Sequence, residues 1–266
     1  MQVHYVTYEA IKFPLAYNSE HSLSFTHNEF LVRDDDIFNV TYPRSGTRGT
    51  VWMTEILSLI RSRGCPGWNR TVLSSDRVPW FSTRLGLESA LSYLPPRLLT
   101  CHLPRHIFPK SCSCSSAKVI YTLQNPRDVV VSYYYFSKMC SSCEDPTSFE
   151  QFLRDFLNGE RHGRGWVVSP ITSVSRVFCC CPLMMAVKPS LPQERGEWLR
   201  RKAKHFWRDM QAHKSLLCFE ADKWISLTSG IWRDWENHFT VAQSESFDRI
   251  YQERMQGLNV TFPWDQ

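Results

Sequence analysis

The stretch Asp36-Ile-Phe-Asn-Val-Thr-Tyr-Pro-Arg-Ser-Gly-Thr47 joins an apolar, β-branched run to a turn of small residues. The run predicts a strand over 37–41. Apolar residues then recur with helical spacing at Trp52, Ile56, Leu59 and Ile60, which predicts that the turn opens a helix. In such a strand–turn–helix unit, the loop amides and the positive end of the helix dipole converge on one point and form an anion cradle.

Three side chains in the turn would add hydrogen-bond donors to this cradle, namely Arg44, Ser45 and Thr47. A phosphate or sulfate group is therefore the natural ligand. The turn on its own fits a plain strand-to-helix connection equally well. It is not a Walker loop, because the Gly-Lys-Ser/Thr ending is missing, so a P-loop kinase is a weaker alternative.

Composition limits the class of protein. The chain has 266 residues, 42% of them hydrophobic and 14% aromatic, which is enough for one α/β domain over residues 1–266. Its net charge of +5 suits an anionic small ligand and is too dispersed for nucleic acid. No apolar run reaches the roughly 20 residues that span a membrane, and residues 1–10 lack a signal-peptide pattern. We expect a cytoplasmic protein.

The ten cysteines do not predict a metal site. Cys140-Ser-Ser-Cys143 has no second Cys-x-x-Cys or His pair to complete a tetrahedral site, and Cys179, Cys180 and Cys181 are consecutive. We interpret them as structural or incidental thiols in a reducing compartment.

Strand and helix signals alternate in the first part of the chain, which predicts a parallel β-sheet flanked by helices. Further strands are expected over 97–100 and 118–123, and a helix after Asn125 with Pro126 in its first turn. A helix over 147–158 would have Thr147 and Glu150 as its capping box and Gly159 as its end. The last helix, 242–256, would begin at the cap residue Thr240. Residues 161–228 show no coherent pattern. Within this segment, 179–185 has neither the helix nor the strand periodicity, whereas 216–220 is a candidate short strand.

Thr41-Tyr-Pro-Arg-Ser-Gly-Thr47, followed by Trp52, resembles the 5′-phosphosulfate loop of the cytosolic sulfotransferases. Four more stretches resemble that family in the same order: 96–104 (the catalytic-histidine segment), 117–132 (the 3′-phosphate segment), 234–245 (with the dimer motif) and 262–264 (the chain end). The likeness covers residues 8–160 and 230–266. Thr100-Cys101 before His102, without a lysine, is most similar to hydroxysteroid- or amine-type members.

The resemblance implies a sulfotransferase that uses 3′-phosphoadenylyl sulfate (PAPS) as co-substrate, without a metal. His102 would be the catalytic base for the hydroxyl or amine of a small acceptor such as a steroid, alcohol or phenol. A homodimer would form through residues 240–245. The donor would be bound by the residues that match the family's motifs: Arg44, Ser45, Gly46, Thr47, Trp52 and Ser132.

Several positions depart from the family pattern. Arg44 replaces the loop lysine, and Gln124 replaces an arginine of the 3′-phosphate site. Thr228 and Ser229 stand where the family has Arg-Lys. A second Gly-Thr at 49–50 leaves open which copy forms the loop. Aligning the first copy with the family motif displaces Trp52 from its matching position, whereas aligning the second copy pushes Arg44 outward.

These departures keep two alternatives open beside the enzyme. One is a catalytically impaired relative that only binds nucleotide or a partner. The other is that the recorded sequence does not represent a stable protein. The acceptor cannot be identified from the sequence.

Overall fold

The computed structural model describes residues 3–45, 58, 71–160, 178–180, 233–256, 262, 264 and 265. The predicted helix after the turn, the candidate strand over 216–220 and most of 161–228 lie outside these residues. The strands are β1 (Tyr5–Tyr8), β2 (Ile11–Pro14), β3 (Ile37–Thr41), β4 (Leu98–Cys101), β5 (Lys118–Leu123) and β6 (Phe178–Cys180). The α-helices are α1 (Glu20–Asn28), α2 (Ser74–Arg77), α3 (Arg84–Ser92), α4 (Pro126–Met139), α5 (Phe149–Asn158) and α6 (Val241–Met255).

The main sheet has the order β4-β3-β5-β6, and all its pairings are parallel. Ile37 of β3 aligns with Leu98 of β4 and with Lys118 of β5, so the three strands end at one edge. The predicted α/β class and the bounds of β3 and β5 are confirmed; β4 begins and ends one residue later than predicted. Residues 179–185 show neither helix nor strand periodicity, yet the first two of them belong to β6, which pairs with β5.

Each face of β3 has a distinct environment. Phe38 and Val40 lie in the larger apolar core, with residues of β4 and β5 on the same face and Phe81 beneath them. Asn39 and Thr41 alternate with them and so lie on the opposite face. Asn39 is completely buried, and its amide has no hydrogen-bond partner in the described part of the chain.

A buried ion pair fixes the start of the sheet. Arg97, just before β4, donates from Nη2 to Asp36 Oδ2 at 2.6 Å and from Nε to Asp36 Oδ1 at 2.8 Å. Both side chains are at most 2% exposed, and the bidentate geometry offsets the cost of burying two charges. The pair locks β3 and β4 in register.

The helix caps follow the predicted chemistry with one shift. The Asn125 side chain accepts from the Arg127 N–H at the start of α4, and Thr240 forms a capping box with Gln243 on α6. Gly159 ends α5 in the left-handed conformation, as predicted. Thr147 is not the cap of α5, because Ser148 accepts from the Gln151 N–H. Among the described helices, none is long and apolar enough to cross a membrane.

A second, smaller core lies between α4, α5 and α6. Its fully buried members include Phe152 and Phe156 of α5 and Phe247 of α6. Tyr42, just beyond β3, packs edge-on against Phe156 with ring centroids 6.0 Å apart. This core therefore anchors the turn that leaves the sheet edge.

Candidate functional site

Two of the predicted site residues that the structure describes, Arg44 and His102, lie just beyond the ends of parallel strands. β3 leads into Thr41 and Arg44, β4 into His102, and β5 into Gln124. Carboxyl ends of parallel strands are where α/β folds commonly bind ligands, because loops from several strands converge there.

The imidazole of His102 is held by the end of the neighbouring strand. Its Nδ1 lies 2.8 Å from the Thr41 carbonyl oxygen and 3.0 Å from Thr41 Oγ1. A carbonyl oxygen can only accept, so Nδ1 must carry the proton that it donates. In the neutral ring, Nε2 is then the basic nitrogen, the protonation state that a proton acceptor needs.

Trp80 packs against this histidine. The two rings meet edge-on with centroids 4.6 Å apart. Trp80 itself bridges to Thr100 of β4 in a parallel arrangement, and the Thr100 N–H donates to the Pro79 carbonyl at 3.1 Å. Gly86 of α3 allows a close approach here, because a Cβ at that position would lie 2.0 Å from the Trp80 carbonyl oxygen. Trp80 restricts the ring of His102, and no sequence pattern identified it.

Arg44 turns back toward helix α4. It has a left-handed backbone (φ 68°) within a turn closed by the Ser45 N–H and the Tyr42 carbonyl at 2.9 Å. Its guanidinium donates to Ser132 Oγ from Nη2 at 3.1 Å, and its Cζ lies 4.6 Å from the Phe136 ring centre. Burial lowers the pKa of Arg44 to about 10, which leaves it charged at neutral pH.

The structure thus brings two of the predicted donor-binding residues, Arg44 and Ser132, into contact. Arg44 points inward and is 9% exposed. Both Gly-Thr copies, 46–47 and 49–50, lie outside the described residues.

Gln124 directly follows the end of β5. Its Oε1 is buried and has no hydrogen-bond partner among the described residues. An amide in this position offers hydrogen bonds to a ligand without a charge.

The C-terminal segment docks onto the start of α4. Asp128 accepts from the backbone N–H groups of Trp235 at 3.2 Å and Arg233 at 3.4 Å. Burial raises the pKa of Asp128 to about 6. The Arg127 guanidinium lies 4.7 Å from the centre of the Trp235 ring. These contacts position the chain that follows residues 228–232.

His106, a second histidine four residues beyond His102, lies on a short 3₁₀ helix, Arg105–Ile107, and is exposed. The other predicted positions lie outside the described residues: Gly46, Thr47, Trp52, Thr228 and Ser229. In the described part of the chain, no cluster of His, Cys, Asp or Glu is suited to a metal ion.

Comparison with known proteins gives a consistent result. The family model described as "Sulfotransferase domain" matches residues 34–170 and 197–259. The chain is 39% identical to human Sulfotransferase 2B1 over 98% of this chain and 77% of that protein. It is 36% identical to the 3-beta-hydroxysteroid sulfotransferase of Cavia porcellus over 97% of both chains.

Solved structures share the fold. Mouse sulfotransferase SULT7A1, complexed with PAP, superposes with a TM-score of 0.70 at 20% identity, covering 96% of this chain and 95% of that one. A retinol dehydratase in complex with androsterone and the inactive cofactor PAP gives the same TM-score at 15% identity, covering 98% and 92%.

Proposed function

The chain belongs to the sulfotransferase family, and from that premise we propose that it transfers a sulfuryl group from PAPS to the hydroxyl or amine of a small acceptor. The observation that carries the proposal is the hydrogen bond from His102 Nδ1 to the Thr41 carbonyl. It prepares Nε2 of a neutral imidazole to take a proton at the edge of the sheet where the anion loop begins.

His102 would act on the acceptor. Nε2 would take the proton of the hydroxyl while its oxygen attacks the sulfur, and the bond from sulfur to the phosphate oxygen of the donor would break. Because the Thr41 carbonyl accepts from Nδ1, it also stabilises the imidazolium that forms. Trp80 limits rotation of the ring and so keeps Nε2 directed at the acceptor.

Arg44 would act on the donor. Sulfuryl transfer resembles phosphoryl transfer, in which charge builds on the leaving and peripheral oxygens and cations stabilise it. A guanidinium supplies that charge but does not donate a proton to the leaving phosphate at neutral pH. Ser132 is already in hydrogen-bond contact with Arg44, and Ser45 lies next to it in the turn.

The fit to PAPS is weaker at the 3′-phosphate. Gln124 offers an amide where the family pattern has an arginine, so a charge-assisted contact worth about 1.5–3 kcal/mol becomes a neutral one. Together with Thr228 and Ser229, this substitution should weaken binding of the 3′-phosphate of the donor.

A hydroxysteroid is the acceptor we favour. The relatives at 36% and 34% identity carry the names 3-beta- and 3-alpha-hydroxysteroid sulfotransferase. We further propose a homodimer through residues 240–245, where Val241 is 76% exposed on the first turn of α6.

The test uses the purified full chain, PAPS labelled in its sulfuryl group, and a panel of hydroxysteroids, phenols and amines. We expect labelled steroid sulfate, with no labelled product when the acceptor is omitted. Folded protein that binds PAP yet sulfates no acceptor would replace the enzyme with the impaired alternative. Absence of both binding and transfer would refute the proposed function.

A further inference from the structure

Cys140 and Cys143 lie in a tight turn at the end of α4. Cys140 follows the last helical residue, Met139, and its carbonyl accepts from the Cys143 N–H at 3.0 Å. A turn closed in this way brings its first and last Cα atoms within about 7 Å of each other. Disulfides span Cα separations of about 4.4–6.8 Å, so the backbone already has nearly the geometry that a disulfide needs.

The pKa of the Cys140 thiol is lowered to about 7, chiefly by hydrogen bonding with the Cys143 side chain and further by Ser142, although burial opposes this shift. Ser142 is itself held by the Tyr17 hydroxyl at 2.8 Å. The turn therefore stabilises a thiolate.

This turn lies next to the Arg44 guanidinium. Ser132, Phe136 and Cys140 are spaced four residues apart, so they form one line along α4. Arg44 contacts the first two of them. Negative charge on Cys140 and Cys143 also raises the pKa of Arg44 against the effect of burial. The thiolate is thus a counter-charge to Arg44.

We propose that Cys140 and Cys143 form a reversible disulfide by exchange with a low-molecular-weight disulfide such as oxidised glutathione. We further propose that this oxidation tunes the anion site by removing the counter-charge from beside Arg44. The sequence alone suggested structural or incidental thiols, because the Cys-x-x-Cys spacing has no partner motif. The geometry of the turn and its position next to Arg44 support a redox role for Cys140 and Cys143.

The exchange proceeds in two balanced steps. Cys143 is the more accessible thiol; it passes its proton to the Cys140 thiolate and attacks the external disulfide RSSR, which releases RS⁻ and leaves a mixed disulfide on Cys143. The released RS⁻ takes the proton of Cys140 and becomes RSH, and the Cys140 thiolate then attacks the Cys143 sulfur and expels the second RS⁻. The dithiol is oxidised by two electrons and RSSR is reduced to two thiols.

The effect on the anion site rests on the proposed function. In the reduced protein the Cys140 thiolate competes with an anionic donor for the guanidinium charge. In the disulfide both sulfurs are neutral, so the donor meets the full charge of Arg44. We expect oxidation to tighten binding of PAP about tenfold near pH 8, as for loss of one opposing charge near the site.

The first experiment maps the disulfide. The full chain is equilibrated with mixtures of oxidised and reduced glutathione, trapped by alkylation and analysed by peptide mass spectrometry. We expect a Cys140–Cys143 disulfide that reduced glutathione reverses, while exposed Cys114 carries at most a glutathione adduct. If Cys140 and Cys143 stay alkylatable under conditions that modify Cys114, the proposal is refuted.

Two variants test the order of the steps. In Cys140→Ser the mixed disulfide on Cys143 cannot be resolved and should accumulate. In Cys143→Ser the remaining thiol is buried, and we expect its modification to slow about tenfold or more relative to Cys143 in the first variant. The reverse pattern would contradict Cys143 as the entry point.

The second experiment measures PAP affinity of the reduced and the oxidised protein by calorimetry. Tighter binding after oxidation, lost in Arg44→Gln, supports the link to Arg44. Equal affinities with a proven disulfide would refute the link. If neither form binds PAP, the proposed function fails, whereas the peptide map still decides whether the disulfide forms.

Discussion

Two parts of the site are built in different ways. The proposed base side consists of Thr41, Trp80 and His102, and a backbone carbonyl and a ring contact hold its histidine. The proposed donor side consists of Arg44, Gln124 and Ser132, and its properties depend on side-chain charge.

The difference shows which features tolerate substitution. The position of His102 follows from the register of β3 and β4, so it persists when neighbouring side chains change. On the donor side, replacing one cation by an amide keeps the fold and removes binding energy directly. We therefore expect the base side to be competent and the donor side to limit the reaction.

The largest expected effect comes from removing the base. His102→Ala should lower kcat about 10²–10⁴-fold, because it eliminates the proton acceptor. PAP affinity should stay unchanged, since Arg44 and Ser132 are untouched. His106→Ala is the matched control, four residues away and exposed, and should retain activity. Equal losses in both variants would show that His102 has no special role.

A second effect concerns the segment docked beside the donor side. The pKa of Asp128 is raised from 3.8 to about 6, so the folded protein holds a proton that the unfolded chain releases. Protonated Asp128 therefore stabilises the folded protein fully below about pH 4. This contribution is lost as the pH rises through about 6, which lowers the free energy of unfolding by about 2–3 kcal/mol.

Urea unfolding of wild type and Asp128→Asn across this pH range measures the effect. We expect the variant to show a flatter pH profile, because its side chain does not titrate. Parallel profiles for the two proteins would assign the pH dependence to other groups.

Restoring charge on the donor side should sharpen the comparison. Gln124→Arg is expected to tighten PAP binding about tenfold or more, since hydrogen bonds to charged groups contribute about 1.5–3 kcal/mol. Gln124→Met, an uncharged side chain about as long as glutamine, should not tighten PAP binding. Calorimetry with both variants distinguishes a regained phosphate contact from a change in packing, and no gain for arginine would place the 3′-phosphate elsewhere.

The smallest effect tests the strand that supports the base side. Asn39→Val should raise the free energy of unfolding by about 1 kcal/mol, because it removes a buried amide that has no partner among the described residues. Thr100→Val on the same face is the contrast, since the Thr100 hydroxyl donates to the Asn39 carbonyl at 2.9 Å, and its loss should destabilise. The urea unfolding midpoints of the two variants measure both effects. A lower midpoint for Asn39→Val would show that the Asn39 side chain does have a hydrogen-bond partner.

Local signals predicted much of this architecture. The β-branched runs before the turn and after Ala117 set the bounds of β3 and β5, and Asn125, Thr240 and Gly159 act at helix ends as their chemistry predicts. Thr147 failed as a cap because Ser148 offers an equivalent hydroxyl one residue later.

Features that depend on distant contacts were not predictable. β6 has no period of its own and is defined by its pairing with β5. Trp80 contacts His102 because it forms a β-bridge to Thr100 of β4. The role proposed for the turn at Cys140 depends on its proximity to Arg44, which only the fold shows. The resemblance predicted His102 as the base, whereas the ring nitrogen that carries its proton could be inferred only from the Thr41 carbonyl.

The most direct test of His102 as the base is a measurement of which tautomer its ring adopts. Nitrogen NMR of isotope-labelled histidine in the neutral protein, assigned by comparison with His102→Ala, reports which ring nitrogen carries the proton. We expect a proton on Nδ1 and a basic Nε2, because the Thr41 carbonyl accepts from Nδ1. A proton on Nε2 in the neutral ring would contradict it and remove His102 as the base.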